Sequence, residues 1–162
     1  MQDARTLVIW IVPIALPVFF VLLWLFITTL LALLSGWFAL VKAFPDQPEE
    51  PLKQFRGMSG VMGAGVNLRN VLRLSVCRTG LRIGILRALG PFSKDFFVPW
   101  SSISVTREEV RFSAAARWLF GAAARLRFGE TGSLMLTAKD ADRLAEAAAG
   151  YWPEGKIPTV VR

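Results

Sequence analysis

Ser101 and Ser102, beside Trp100, are the side chains that most invite a nucleophilic reading. A serine attacks only when a base takes its proton and a tight turn exposes its Oγ. The chain contains no histidine, and no G-x-S-x-G segment surrounds either serine. Ser101 is therefore expected at a turn or strand start, and Trp100 in a core or at its rim. Glu108 and Glu109 are adjacent, so in a strand they point to opposite faces and do not form a facing acid/base pair. A solvated turn is the reading they support. Thr131-Gly132-Ser133 lacks the lysine and the long glycine-rich context of a phosphate-binding loop. Cys77 is the only cysteine, which rules out an intrachain disulfide and a thiolate metal cage and fits a reducing compartment. Without imidazole the chain also lacks the usual general base near neutral pH and the commonest nitrogen ligand of metals and haem. The expectation is a protein that is not an enzyme, with no catalytic, cofactor-binding or metal residues.

Charge is the stronger signal. The net charge of +7 is unevenly placed, and no acidic residue occurs between Pro51 and Lys94. That interval carries Lys53, Arg56, Arg69, Arg73, Arg78, Arg82, Arg87 and Lys94. Such asymmetry points to an anionic surface. Nucleic acid would require aromatics presented together with the cations, and no such platform is evident. Anionic phospholipid is nearer for a tethered chain, and each cation held at the leaflet contributes about 1 kcal/mol. A solvated sheet face combined with positive-inside bias explains the same residues equally well. Residues 114 to 127 form a second patch. Trp118, Leu119 and Phe120, flanked by Arg117 and Arg125, read either as an apolar loop tip at an interface or as a strand and hairpin turned into the core. The candidate lipid or protein contacts are thus Trp37, Lys42, Lys53, Arg56, Arg73, Arg82, Arg87, Arg117, Trp118, Phe120 and Arg125.

The element that tethers these residues is plain. Residues 7 to 41 carry no charge, and about 20 apolar residues cross a hydrocarbon core of about 30 Å. One crossing is expected, since a hairpin of two would need about 40 apolar residues and a turn. Pro13 and Pro17 predict a kink or an irregular first turn. Ser35-Gly36 marks a bend, after which WFALVKAF reads as a short interfacial helix with Trp37 and Lys42 at headgroup level. The apolar run is too long for a signal-peptide h-region and lacks a small-residue cleavage pattern. Lys42, Lys53 and Arg56 on the far flank place the C-terminal domain in the cytoplasm.

Behind this anchor (residues 1–44), about 110 to 120 residues remain, enough for one core. Residues 45–66 hold three prolines and four glycines and read as a connector without a strand. From Val71 the apolar period becomes two. Leu72, Leu74 and Val76 share one face, a turn follows at Arg78-Thr79-Gly80, and Leu81, Ile83 and Ile85 resume the alternation as a hairpin. Further strands are expected over 95–100, with Pro99 at an edge, and over 103–107, 110–112, 124–128 and 133–137. Together they make a meander of about seven strands. Thr137-Ala138-Lys139-Asp140 resembles a capping box opening a helix that runs to Gly150. The fold class is a single N-terminal transmembrane helix plus a small α+β domain over 67–152, an antiparallel curved sheet or open barrel capped by a C-terminal helix, with a tail over 153–162.

The run SGVMGAGVNLRNVLRLSVCRTGLRIGI followed by DFFVPWSSISV resembles a family of small bacterial proteins without assigned activity. In that family a strand, a turn ending in Gly-Leu, a second strand and a Val/Ile-Pro-Trp-Ser-x-Ile segment recur. The resemblance covers residues 57 to about 148 and implies a pleckstrin-homology-like fold and, for an anchored chain, a bacterial inner or intracytoplasmic membrane. Phe92-Ser93-Lys94-Asp95 departs from the more apolar, proline-rich approach to that segment. Two functions follow from anchor and domain together. One is a noncatalytic accessory subunit that binds other integral-membrane subunits, with an energy-transducing or photosynthetic complex as a conceivable host. The other is an autonomous adaptor docking anionic lipid or an acidic protein through the basic face.

Overall fold

A computed structural model describes residues 2–63, 65–86, 94–108 and 123–153. Helix α1 (Gln2–Leu34) is continuous over 33 residues through Pro13 and Pro17. Its segment Pro13–Leu34, 22 residues, is long and apolar enough to cross a membrane and is exposed over nearly all its length, with Ala32 in its last turn packed into the domain core. At about 1.5 Å per residue that segment is about 33 Å long. Gly36, at φ 73°, turns the chain into α2 (Trp37–Ala43).

Seven strands follow: β1 (Lys53–Met62), β2 (Val66–Val76), β3 (Gly80–Ile85), β4 (Phe96–Pro99), β5 (Ile103–Glu108), β6 (Ala123–Phe128) and β7 (Gly132–Thr137). They form one antiparallel sheet in the order β4-β3-β2-β1-β7-β6-β5. This corrects the expectation of one meander in chain order. Two meanders, β1 to β4 and β5 to β7, are joined through the pairing of β1 with β7. The two outermost strands are joined by a single 3-10 turn, Trp100–Ser102, so the sheet must curl until its ends nearly meet. The corner is fastened by Gly129 N–H donating to Ser102 O (2.9 Å), Trp100 N–H to Thr79 O (3.1 Å) and the Trp100 indole to Cys77 O (3.2 Å). Pro99 ends β4, where the missing N–H breaks no ladder.

β1 also corrects the expectation of a strandless connector over 45–66. The glycines that argued against a strand are what allow this one to bend between the two half-sheets. Gly57, at φ 70°, sits at a register shift between Arg56 and Met58, the left-handed conformation that a glycine-type bulge uses. A methyl added to Gly60 would lie 2.8 Å from Met135 O and from a Leu134 methyl, so β1 and β7 approach closely only because that side chain is absent. The alternation expected in β2 and β3 holds: Leu72, Leu74, Val76, Leu81 and Ile83 are fully buried. The expected strand over 110–112 lies outside the described residues.

Helix α3 (Ala138–Ala147) opens as anticipated. Thr137 Oγ1 accepts from Asp140 N–H (3.2 Å) and donates to Asp140 Oδ2 (2.9 Å), satisfying an otherwise orphan donor of the first turn. Ala141, Leu144 and Ala148 face the core. Arg143 on α3 and Lys53 on β1 both lie over the Phe55 ring, at 5.4 and 5.5 Å from its centroid, which fastens the helix to the start of β1.

Candidate functional site

The distinctive site is the junction between the apolar helix and the sheet. The last turn of α1 closes with Ser35 N–H donating to Leu31 O (2.9 Å) and Ser35 Oγ to Ala32 O (3.0 Å). One glycine later the chain enters the domain core. Trp37 has 0% and Leu40 1% of its surface exposed. The Trp37 indole N–H donates to Lys94 O (3.0 Å), and its ring meets Phe96 edge-on at 4.9 Å, with Phe128 a further edge-on neighbour of Phe96 at 6.2 Å. Leu40 Cδ1 would be 3.3 Å from a methyl on Gly132, and the Phe44 ring faces Gly129. Helix α2 therefore packs between β4 and the β6–β7 turn. This corrects the reading of Trp37 as a headgroup-level aromatic: an amphipathic helix specifies an apolar face but not what covers it. Lys42 is exposed on the opposite side, and Phe38 is 40% exposed.

Beyond α2 the chain forms a strap. Phe44 O accepts from Phe97 N–H (3.3 Å), and Pro45 bridges Phe96, which covers the free edge of β4 and removes a template for aberrant pairing. Asp46 then pairs with Arg82 Nε (2.8 Å), and the same guanidinium donates to Gln47 O. Glu49 accepts from Arg78 N–H (2.9 Å), Thr79 N–H (3.2 Å) and the Thr79 hydroxyl. That hydroxyl is the main reason the Glu49 carboxyl is held below its ordinary value of 4.5; desolvation opposes it, and the two backbone N–H donors and Arg82 add to it. A depressed carboxyl stabilises the fold above the ordinary glutamate range and loses that contribution as pH falls through the depressed value. The protection factors of the Arg78 and Thr79 amides, taken against the intrinsic exchange rate at each pH, are accordingly expected to be larger at neutral pH and to fall on acidification. Glu49→Gln should remove most of that pH dependence when followed by hydrogen-exchange NMR.

The strap changes the account of the basic stretch. Arg82 is engaged by Asp46 and Gln47, and Arg73 pairs with Asp95, so neither guanidinium is a free headgroup ligand. Arg73 lies directly across from Arg56 on β1, a like-charge pairing that the Asp95 carboxylate offsets. Arg56 Nε donates to Gln54 Oε1 (3.2 Å), and both Arg56 and Lys53 are exposed. Arg125 is half-buried on β6 opposite Thr106 and Met135. Arg87, Arg117, Trp118 and Phe120 lie outside the described residues. The acidic partners were not singled out in sequence. For Asp46 and Glu49 the one signal is the acidic run Asp46, Glu49 and Glu50 immediately before a long acid-free basic interval, which Asp95 closes at its other end.

Ser101 is exposed on the 3-10 turn, and Ser102 supplies a backbone carbonyl to the closing corner. Cys77 is buried, with its thiol pushed up chiefly by desolvation, the opposite of what a reactive thiolate needs. Among the described residues no three His, Cys, Asp or Glu side chains converge as a metal site. Comparison with protein-family models, curated proteins and solved structures finds no match to this chain.

Proposed function

We propose that the chain is a single-pass membrane protein whose pleckstrin-homology-like domain is a noncatalytic scaffold that binds and stabilises other integral-membrane subunits. The observation behind this reading is the junction. A lipid-length apolar helix passes through one glycine into a helix whose Trp37 and Leu40 sit in the domain core. A domain on a flexible tether samples many poses, whereas one sharing its core with the anchor holds a fixed pose, as bracing neighbouring helices demands. The strand order and C-terminal helix fit the pleckstrin-homology-like resemblance, and Lys42, Lys53 and Arg56 after the span favour a cytoplasmic domain.

The helix itself suits partners. Pro13 and Pro17 lack the N–H groups that would bond the carbonyls of Ile9 and Pro13. Two acceptors one turn apart are thereby left on one face, and in hydrocarbon such acceptors call for a neighbouring donor. Thr28 and Thr29, by contrast, donate to Trp24 O (2.9 Å) and Leu25 O (2.7 Å) in their own helix and are content facing lipid. The adaptor reading is weaker because Arg73 and Arg82 are committed within the domain. Gentle detergent extraction of the endogenous protein, followed by sizing and mass spectrometry, tests the scaffold. Stoichiometric integral-membrane partners are expected, and a partner-free monomer would sink the proposal.

A further inference from the structure

The β1–β2 hairpin reaches the end of the apolar helix. A methyl added to Gly63 would fall 2.5 Å from Ser35 O and 2.8 Å from Leu34 O, so the turn flanked by Met62-Gly63 and Gly65-Val66 sits directly against the last turn of α1. Leu33 and Leu34, in that same turn, are 64% and 50% exposed. The apolar surface of α1 therefore continues to the level at which the hairpin touches it, without an intervening polar spacer.

On its β1 side this end of the hairpin is paired with β7 through Gly60, Val61 and the buried Met62, and on its β2 side it extends past β3. β3 pairs with β2 only from Leu72 onward, whereas β2 pairs with β1 back to Val66, so the segment from Val66 to Asn70 has no β3 neighbour. Its composition is graded along its length. The end next to α1 has Val61 and Val66 half-buried and Gly63 and Gly65 exposed, while Asn67, Arg69 and Asn70 behind them are exposed. At about 3.4 Å per residue, Arg69 stands about 10 Å behind Val66, a distance at which a long cationic side chain reaches headgroup phosphates.

We propose that the β1–β2 hairpin tip is a second membrane contact, resting in the headgroup layer of the leaflet from which α1 emerges, with Arg69 directed to lipid phosphate. The inference rests on α1 being the span, and its occupant is the bilayer because the tip is continuous with the apolar surface of that helix. It gives the domain two points of support on the membrane and thereby limits its tilt. The cations assigned to lipid also change, since Arg69 takes the place that Arg73 and Arg82 leave by pairing internally.

The test uses the full chain with Cys77→Ala, reconstituted in phosphatidylcholine/phosphatidylglycerol vesicles and carrying an environment-sensitive fluorophore at one new cysteine. The positions are Asn67→Cys at the tip, Arg69→Cys as a second hairpin site, Phe26→Cys in the span and Lys139→Cys on α3. Lipids spin-labelled near the headgroup are expected to quench positions 67 and 69 several-fold more than position 139, and deep-labelled lipids to quench position 26. If 67 and 69 match 139 while 26 is quenched, the hairpin contact is wrong and the span stands. If 26 is unquenched as well, both are overturned.

Discussion

Arginine at both Leu22 and Phe26 is expected to prevent stable membrane integration, moving the chain from the carbonate-resistant membrane pellet to the soluble or aggregated fraction. These residues are 61% and 65% exposed and lie mid-way along the apolar segment. Near the centre of a spanning helix each arginine costs about 2.5 to 3.5 kcal/mol, so the pair costs roughly 5 to 7 kcal/mol before snorkelling lessens it. The sign discriminates between environments: on a helix already in water, two exposed arginines leave folding nearly unchanged and raise solubility. The same pair of charges at exposed Lys42 and Lys53 is native, which shows where the chain itself tolerates them.

The second large effect is expected at the junction. Trp37→Ala removes a fully buried ring from between α2 and Phe96 and leaves Lys94 O without its indole donor. Truncating a core aromatic costs about 3 to 5 kcal/mol, and an unpaired buried acceptor adds to that. Chemical unfolding of the domain in detergent micelles, followed by near-ultraviolet dichroism, should register the loss. Trp24→Ala, on the exposed face of α1, should fall within about 0.5 kcal/mol of the parent. Trp37→Phe should land between them, because it keeps a ring and loses the donor. The variant has a second consequence that a merely stabilising residue would lack: with α2 released from β4, the angle between anchor and domain ceases to be fixed.

The parts of this fold visible in sequence are those governed by local period and local capping. Leu72, Leu74 and Val76 alternate with Arg73 and Ser75, and the two-residue period leaves one assignment of faces. Thr137 and Asp140 bond each other three residues apart, within the reach of a capping rule. β1 was not visible, because Gly57 and Gly60 lower strand propensity for the very reason they are present. One permits a left-handed bulge, and the other admits β7 at close range. Nor does period reveal that β7 closes on β1 across some seventy residues, since pairing of that kind is decided by the whole core.

The site was legible only in its ingredients. Trp37, Leu40 and Lys42 show the same amphipathic pattern whether the apolar side meets lipid or Phe96 and Gly132, and tertiary packing alone separates the two. The basic stretch was read as a surface because charges in sequence carry no partners. Asp46 reaches Arg82 from 36 residues away, and Glu49 reaches Thr79 from 30. Among the described residues, Lys42 and Arg69 are exposed cations that lie on opposite sides of the α1–hairpin contact in the chain.

The shared core of anchor and domain is tested most directly by pulsed electron resonance on the Cys77→Ala chain in lipid nanodiscs, with nitroxides at Phe26→Cys on α1 and Lys139→Cys on α3. One narrow distance distribution is expected for the parent, broadening when Trp37→Ala is added. A broad distribution in the parent itself, unchanged by Trp37→Ala, would contradict the account, because it would mean that the domain swings on its anchor as if Gly36 were a free hinge.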